Sequence, residues 1–158
     1  MDTSRQAIEC RVETFRQQCG ERGLSLTPQR LAIYRVLASD ETHLSAEDIF
    51  QRIKPQMPSL ALGTVYRTLE LLENHGLIRR VPTHGNQARF DADLSDHAHL
   101  VCMRCGRVAD LHTVALPVLA VPESSLHGFR VLARRVQLLG LCGECQDGLP
   151  ETIPSTDR

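Results

Sequence analysis

Four cysteines constrain this chain more than any other feature. They form two matched Cys-x-x-Cys pairs, Cys102 with Cys105 and Cys142 with Cys145. A Cys-x-x-Cys turn places two thiolates on one side of a tight loop, and two such turns complete a tetrahedral sulfur site. That geometry suits structural Zn²⁺ and leaves no open coordination position. Metal binding of this kind contributes directly to folding. The competing reading is a redox dithiol, favoured by Arg104 and Arg107 beside the first pair, because nearby cations lower a thiol pKa. Two pairs favour the metal. Cys10 and Cys19 lie nine residues apart on a predicted helix. They point to opposite faces and are read as packing or surface thiols.

The rest of the composition sets limits. The 158 residues are 42% apolar but only 4% aromatic, with no Trp, so aliphatic side chains must fill the core. No apolar run reaches the length of a membrane span. Met1-Asp2-Thr3-Ser4-Arg5 lacks a signal-peptide pattern. The expected setting is the cytoplasm, where paired thiols hold metal. The net charge of −1 does not by itself suggest nucleic acid, so any such reading rests on local geometry.

The periodicity divides the chain. Ile8, Val12 and Phe15 predict a helix over 4–18, ended by Gly20 and Gly23. Thr27-Pro28 supplies an N-cap and a first-turn proline for a second helix, with Leu31, Tyr34, Val36 and Leu37 as its apolar positions. Ser45-Ala46-Glu47-Asp48 resembles a capping box and opens a third helix, which Pro55 and Pro58 stop. Leu62, Val65, Leu69 and Leu72 stripe a fourth helix over 60–75, with Gly76 as its C-cap glycine. Strands over 77–81 and 87–91 follow, joined through His84. Helices followed by a hairpin form the pattern of a winged helix. Beyond Asp91, short strands are expected at 99–102 and 108–111, a short helix within 116–126, and a long strand over 129–141. The expected fold class is α+β: an N-terminal winged-helix DNA-binding domain (1–86), a small α/β metal-binding domain with a four-cysteine zinc site (87–148), and a loose tail (149–158).

A second ligand set adjoins the first. His97 and His99, two apart on a strand, share a face and can grip one metal. Asp91 and Asp110 lie at neighbouring element edges. A nitrogen–carboxylate site suits Fe²⁺, Mn²⁺ or Zn²⁺ better than a thiolate-loving ion.

Several motifs together carry a resemblance. Thr64-Val65-Tyr66-Arg67-Thr68-Leu69, Arg89-Phe90-Asp91, the run from His97 to Gly106, Gly23-Leu24 with Thr27-Pro28-Gln29-Arg30, and the second Cys pair are similar to the ferric uptake regulator superfamily, in uninterrupted order over about residues 5–146. The resemblance implies a homodimeric, metal-dependent transcriptional regulator, usually a repressor, on an inverted-repeat operator of double-stranded DNA. It also implies a regulatory Fe²⁺ or Mn²⁺ site made of His43, Asp91, His97, His99 and Asp110. Aspartate at 91 and 110 is most similar to the peroxide-sensing branch, in which His43 and His97 match the oxidised residues. Ala98 and Arg134 stand where an additional site of the iron-uptake branch would need ligands. Thr64, Tyr66 and Arg67 are the expected DNA contacts, with Arg79, Arg80 and His84 on the hairpin near the DNA backbone. Ser25 replaces a basic residue that enters the minor groove in many relatives, so either Arg22 or Arg30 compensates or minor-groove reading is weak. The alternatives are a manganese- or iron-availability sensor of the same superfamily, a protein-binding zinc ribbon, which the winged-helix half disfavours, and a metal-dependent enzyme. The enzyme is disfavoured because five protein ligands leave little room for substrate and no general base stands outside them.

Overall fold

In the computed structural model, residues 3–40, 42–83, 87–112, 126–132 and 135–147 are described. The helix expected within 116–126 lies outside them except for Leu126, as do the tail, His84 and Arg134.

Helix α1 spans Thr3–Glu21. Its buried residues Val12, Phe15 and Cys19 recur at helical spacing, so Cys19 is a core position while Cys10 is exposed. The helix runs through Gly20 and stops at Gly23, where φ is +67°. Leu24 N–H donates to Cys19 O at 2.8 Å and Gly23 N–H to Gly20 O at 3.1 Å. This is a Schellman closure, which needs a left-handed residue at its turn. Helix α2 (Pro28–Ala38) starts as expected, with the Thr27 side chain accepting from Arg30 N–H at 3.2 Å. The Phe15 and Tyr34 rings stack 3.8 Å apart and join α1 to α2.

Helix α3 (Ala46–Ile53) carries a complete capping box. Asp48 N–H donates to Ser45 Oγ at 3.1 Å, and Ser45 N–H donates back to the Asp48 carboxylate at 3.0 Å. Helix α4 covers Leu62–Asn74, shorter at its start than expected, because Leu60 is buried in the core and Ala61 occupies the cap in extended conformation. Thr68 joins Val65, Leu69 and Leu72 on the buried face, while Leu62 is only partly covered. Strands β1 (Arg79–Val81) and β2 (Arg89–Asp91) pair antiparallel and complete the winged helix. Ile33, Ile49, Leu69, Leu72 and Phe90 lie in this first core.

A second sheet has the order β4-β3-β5, with β3 Ala98–Cys102, β4 Val108–Leu111 and β5 Val136–Gly140. Strand β3 is antiparallel to β4 and parallel to β5. The long strand expected over 129–141 is therefore only five residues. Its ladder partner β3 offers five positions, from Ala98↔Val136 to Cys102↔Gly140, and strand pairing ends where the partner ends. The last turn, α5 (Gly143–Gln146), was not anticipated.

One stitch holds the segment before α3 to the hairpin. Residues 43–45 run beside β2: Phe90 N–H donates to Leu44 O at 3.1 Å, Ser45 bridges Arg89, and the Arg89 guanidinium donates to His43 O at 2.7 Å. Replacing Ser45 by Ala should cost about 1 kcal/mol, read as a lower unfolding midpoint in urea. Burial raises the Asp48 carboxyl pKa, but hydrogen bonds from Ser45 and the charges of Arg89 and Arg52 outweigh it and leave it below its ordinary value. A carboxyl depressed in the folded state contributes stability above its unfolded pKa of about 4, and that contribution is lost as pH falls through the depressed value. The penalty of Asp48→Asn should therefore be full at neutral pH and shrink in acid.

Candidate metal centres and DNA-facing helix

The stitch delivers His43 to β2. The His43 backbone sits at φ +55°, an uncommon left-handed conformation for a side-chain-bearing residue. Its ring, only 2% exposed, meets Asp91, His97, His99 and Asp110. Asp110 Oδ1 lies 3.0 Å from His43 Nε2, 3.1 Å from His97 Nε2 and 3.5 Å from His99 Nε2. Asp91 Oδ2 lies 3.7, 3.3 and 3.6 Å from the same three nitrogens. The Nε2 atoms of His97 and His99 face each other at 3.0 Å. His97 precedes β3 rather than lying within it, yet it shares the cluster with His99. The structure thus gathers all five residues singled out by resemblance, from the segment before α3, from β2 to β4, and from the turn before β3.

The chemistry of this donor set fits a cation. His43 Nε2, Asp91 Oδ2 and Asp110 Oδ1 are buried without a hydrogen-bond partner. Buried polar atoms without partners cost on the order of kilocalories each. These three converge on one point, while His43 Nδ1, also buried without a partner, belongs to the other side of its ring. Burial pushes the Asp91 carboxyl up, but the His43 and His99 imidazoles and the Asp93 N–H, which donates to Asp91 Oδ1 at 2.6 Å, hold it well below the usual carboxylate range. Asp91 thus keeps its negative charge in a place water hardly reaches. Three nitrogens and two carboxylates can hold a divalent first-row ion.

The four paired cysteines form the second cluster, with all four sulfurs within 4.8 Å of one another and Cys105 Sγ 3.6 Å from Cys142 Sγ. Tetrahedral zinc–sulfur bonds of about 2.3 Å put sulfurs about 3.8 Å apart, so the set could hold zinc. N–H groups of Cys105 and Cys142 pull the Cys102 thiol down to about 6, which favours the ligating thiolate. A hydrogen bond that the Cys145 thiol donates to Cys142, with burial, pushes Cys145 up to about 12. Arg104 donates to Cys145 O at 3.0 Å and Arg107 pairs with Glu144 at 2.8 Å, so both clasp α5 to the first turn.

On α4, Tyr66 is 46% exposed, Arg67 is exposed and Thr64 is half-buried. The Tyr66 hydroxyl bonds to Glu47 Oε1 of α3. Exposed groups on the second helix of a helix-turn-helix are where base contact occurs in that motif. The hairpin arginines differ from expectation. Arg79 is turned inward: its guanidinium donates to Asp93 O and Ser95 O, both at 2.7 Å, and Nε lies 3.5 Å from Asp91. Arg80 pairs with Glu73 at 3.1 Å across half-exposed side chains. Arg30, on α2, places its guanidinium on Ser25, reaching Ser25 Oγ at 3.2 Å, so a cation does stand at that position.

With this geometry the matches to known proteins can be placed. A model of the ferric uptake regulator family matches residues 21–139. The chain belongs to the ferric uptake regulator family. Members of this family are metal-responsive transcriptional regulators rather than enzymes. The peroxide-responsive repressor PerR of Staphylococcus saprophyticus is 30% identical over 147 residues, 93% of this chain and 99% of that protein. The ferric uptake regulator of Helicobacter pylori, described with three functional metal-binding sites, superposes with a TM-score of 0.67 at 25% identity, covering 90% of this chain and 96% of that one. A zinc-bound manganese uptake regulator superposes at 0.62 with 29% identity, covering 82% and 98%. Among the described residues, no helix of this family member is long and apolar enough to cross a membrane.

Sequence reasoning missed Arg79 and Arg89 as organisers of the buried cluster, because an arginine on a hairpin carries no sign of which way it turns. Arg79→Ala should lower the unfolding free energy by about 2 kcal/mol through the loss of charged hydrogen bonds. Thermal unfolding of the metal-free chain measures this.

Proposed function

We propose that this chain is a homodimeric repressor whose binding to an inverted-repeat operator depends on Fe²⁺ or Mn²⁺ held by His43, Asp91, His97, His99 and Asp110, and which senses peroxide through the iron form. The observation that carries the reading is the buried five-residue cluster with its partnerless oxygens and nitrogen. Its donors come from both halves of the molecule. His43 enters from the winged helix, taken as residues 1–86, and His97, His99 and Asp110 from the metal-binding dimerisation unit, taken as 87–148. Drawing these donors together fixes one half against the other, and in a two-fold dimer that sets the distance between two α4 helices. A coupling of ~1–3 kcal/mol per site gives roughly 5–150-fold tighter DNA binding. In this reading Arg67 contacts bases, Tyr66 contacts a phosphate or a thymine methyl, and Thr64 holds a phosphate.

The peroxide reading is supported by aspartate at both 91 and 110 and by the identity to a peroxide-responsive repressor over nearly the whole chain. Fe²⁺ held at such a site would activate the peroxide O–O bond; the net change is one oxygen added to an imidazole carbon while the other leaves as water, the two electrons coming from the ring. His43 and His97 are the rings assigned to take up oxygen. An oxidised ring is a poorer donor, so the grip on the winged helix loosens and DNA is released. The manganese-availability reading remains the alternative, favoured by the 29% identity to a manganese uptake regulator. Operator affinity measured without air, with Fe²⁺ and Mn²⁺ in turn and before and after peroxide, separates the two. Loss of affinity only in the iron form, with a one-oxygen mass gain on His43 or His97 peptides, supports peroxide sensing. Peroxide-insensitive binding with both ions points to metal availability instead, and DNA release with both peptides unmodified rules out the histidine route.

The Cys102, Cys105, Cys142 and Cys145 set is assigned structural zinc. Zinc should stay with the chain through dialysis against a chelator that strips the buried cluster. Cys142→Ser should lose it, as read by metal content and by a fall in strand signal in circular dichroism.

A further inference from the structure

A third group of potential metal donors shares one residue with the buried cluster. Asp93, His97 and His112 each offer a ligand atom, and these lie within 4.8 Å of one another. They differ from the buried cluster in exposure: His112 is 53% exposed in its side chain, whereas the His97 side chain is fully covered. Asp93 is held in place, its backbone oxygen accepting from Arg79 and its Oδ1 accepting from Ser95 N–H at 2.9 Å. Its Oδ2 makes a long, partly exposed contact with Arg11 at 3.8 Å.

Two further contacts tie this group to the buried one. Four imidazoles follow one another inward: His112 to His97 at 4.9 Å between centroids, His97 to His99 at 4.6 Å, and His99 to His43 at 4.9 Å. The Asp110 carboxylate spans the same boundary, with Oδ1 among the three buried Nε2 atoms and Oδ2 3.6 Å from His112 Nε2.

We propose that Asp93, His97 and His112 form a surface-facing site for a divalent first-row transition cation, through which ions enter and leave the buried cluster. Two nitrogens and one carboxylate suit such ions and bind them less tightly than five donors. His97 belongs to both sets, so the ion changes partners around one shared residue instead of losing all its protein ligands at once. Sharing also makes the sites successive stations rather than two stores filled together. The proposal rests on the buried cluster being a metal site.

The test uses the full-length chain with its thiol site zinc-loaded and Co²⁺ as the probe, followed by visible absorbance after rapid mixing. A station that is empty at equilibrium changes both rates by one factor and leaves the affinity alone. His112→Ala and Asp93→Asn should therefore slow Co²⁺ uptake and Co²⁺ release together, several-fold, with equilibrium affinity unchanged. Unchanged rates, or any change in affinity, overturn the proposal. The combined variant His43→Ala, His99→Ala, Asp110→Asn supplies a second readout, because it leaves only Asp91 and His97 of the buried cluster and spares the outer three. This variant should still bind Co²⁺, and adding His112→Ala should abolish that binding. No Co²⁺ binding by the combined variant also overturns the proposal. Failure of the buried-site reading looks different: wild type and the combined variant would then bind Co²⁺ with equal affinity, both sensitive to His112→Ala.

Discussion

Two carboxyl groups and three imidazoles packed away from water repay their desolvation only if something positive sits among them. Most of the structure around the cluster serves to hold these groups in place nonetheless. The capping box fixes Ser45 at the start of α3, and the bridge from Ser45 to Arg89 lays residues 43–45 along β2. Arg89 then holds the His43 carbonyl, and the backbone accepts a positive φ so that the ring turns inward. On the other side, Arg79 ties down residues 93 and 95 and stands beside Asp91. Arg79, which the sequence reading placed near the DNA backbone, and Arg89 both serve to hold this geometry.

The second sheet concentrates this arrangement in one strand. Strand β3 carries His99 near its start and Cys102 at its end, with His97 just before it. Its neighbour β4 brings Asp110 opposite His99, and β5 leads into Cys142. A shift of β3 by one residue would move His99 out of the buried cluster and Cys102 out of the thiol cluster at once, because side chains alternate between faces.

Much of this was legible beforehand for local reasons. Thr27-Pro28, the Ser45–Asp48 box and Gly76 act through backbone hydrogen bonds within a few residues, so their meaning survives without a fold. Cys-x-x-Cys spacing is local in the same sense. The gathering of His43 with residues about 50 to 70 positions away came from resemblance, since no periodicity links it to them. The length of β5 was misread because an apolar run reports the ability to pair and says nothing of how long the partner is. His112 and Asp93 were passed over because single His and Asp residues at element edges are common, and only the ring-to-ring distances separate these two from the rest.

The parallel pairing of β3 with β5 has a consequence for the order of folding. Parallel neighbours cannot be joined by a tight hairpin, so β5 reaches its place only after a long stretch of chain has closed. Strand β3 and β4 need no such closure, and neither do the helices. Because parallel strands end at the same sheet edge, Cys102 and Cys142 arrive side by side only when that late step is complete. A cation captured by the thiols would therefore act as a latch on the last piece to dock, and its loss would undo that piece first while the helical core with Phe15, Ile49 and Leu69 stays assembled.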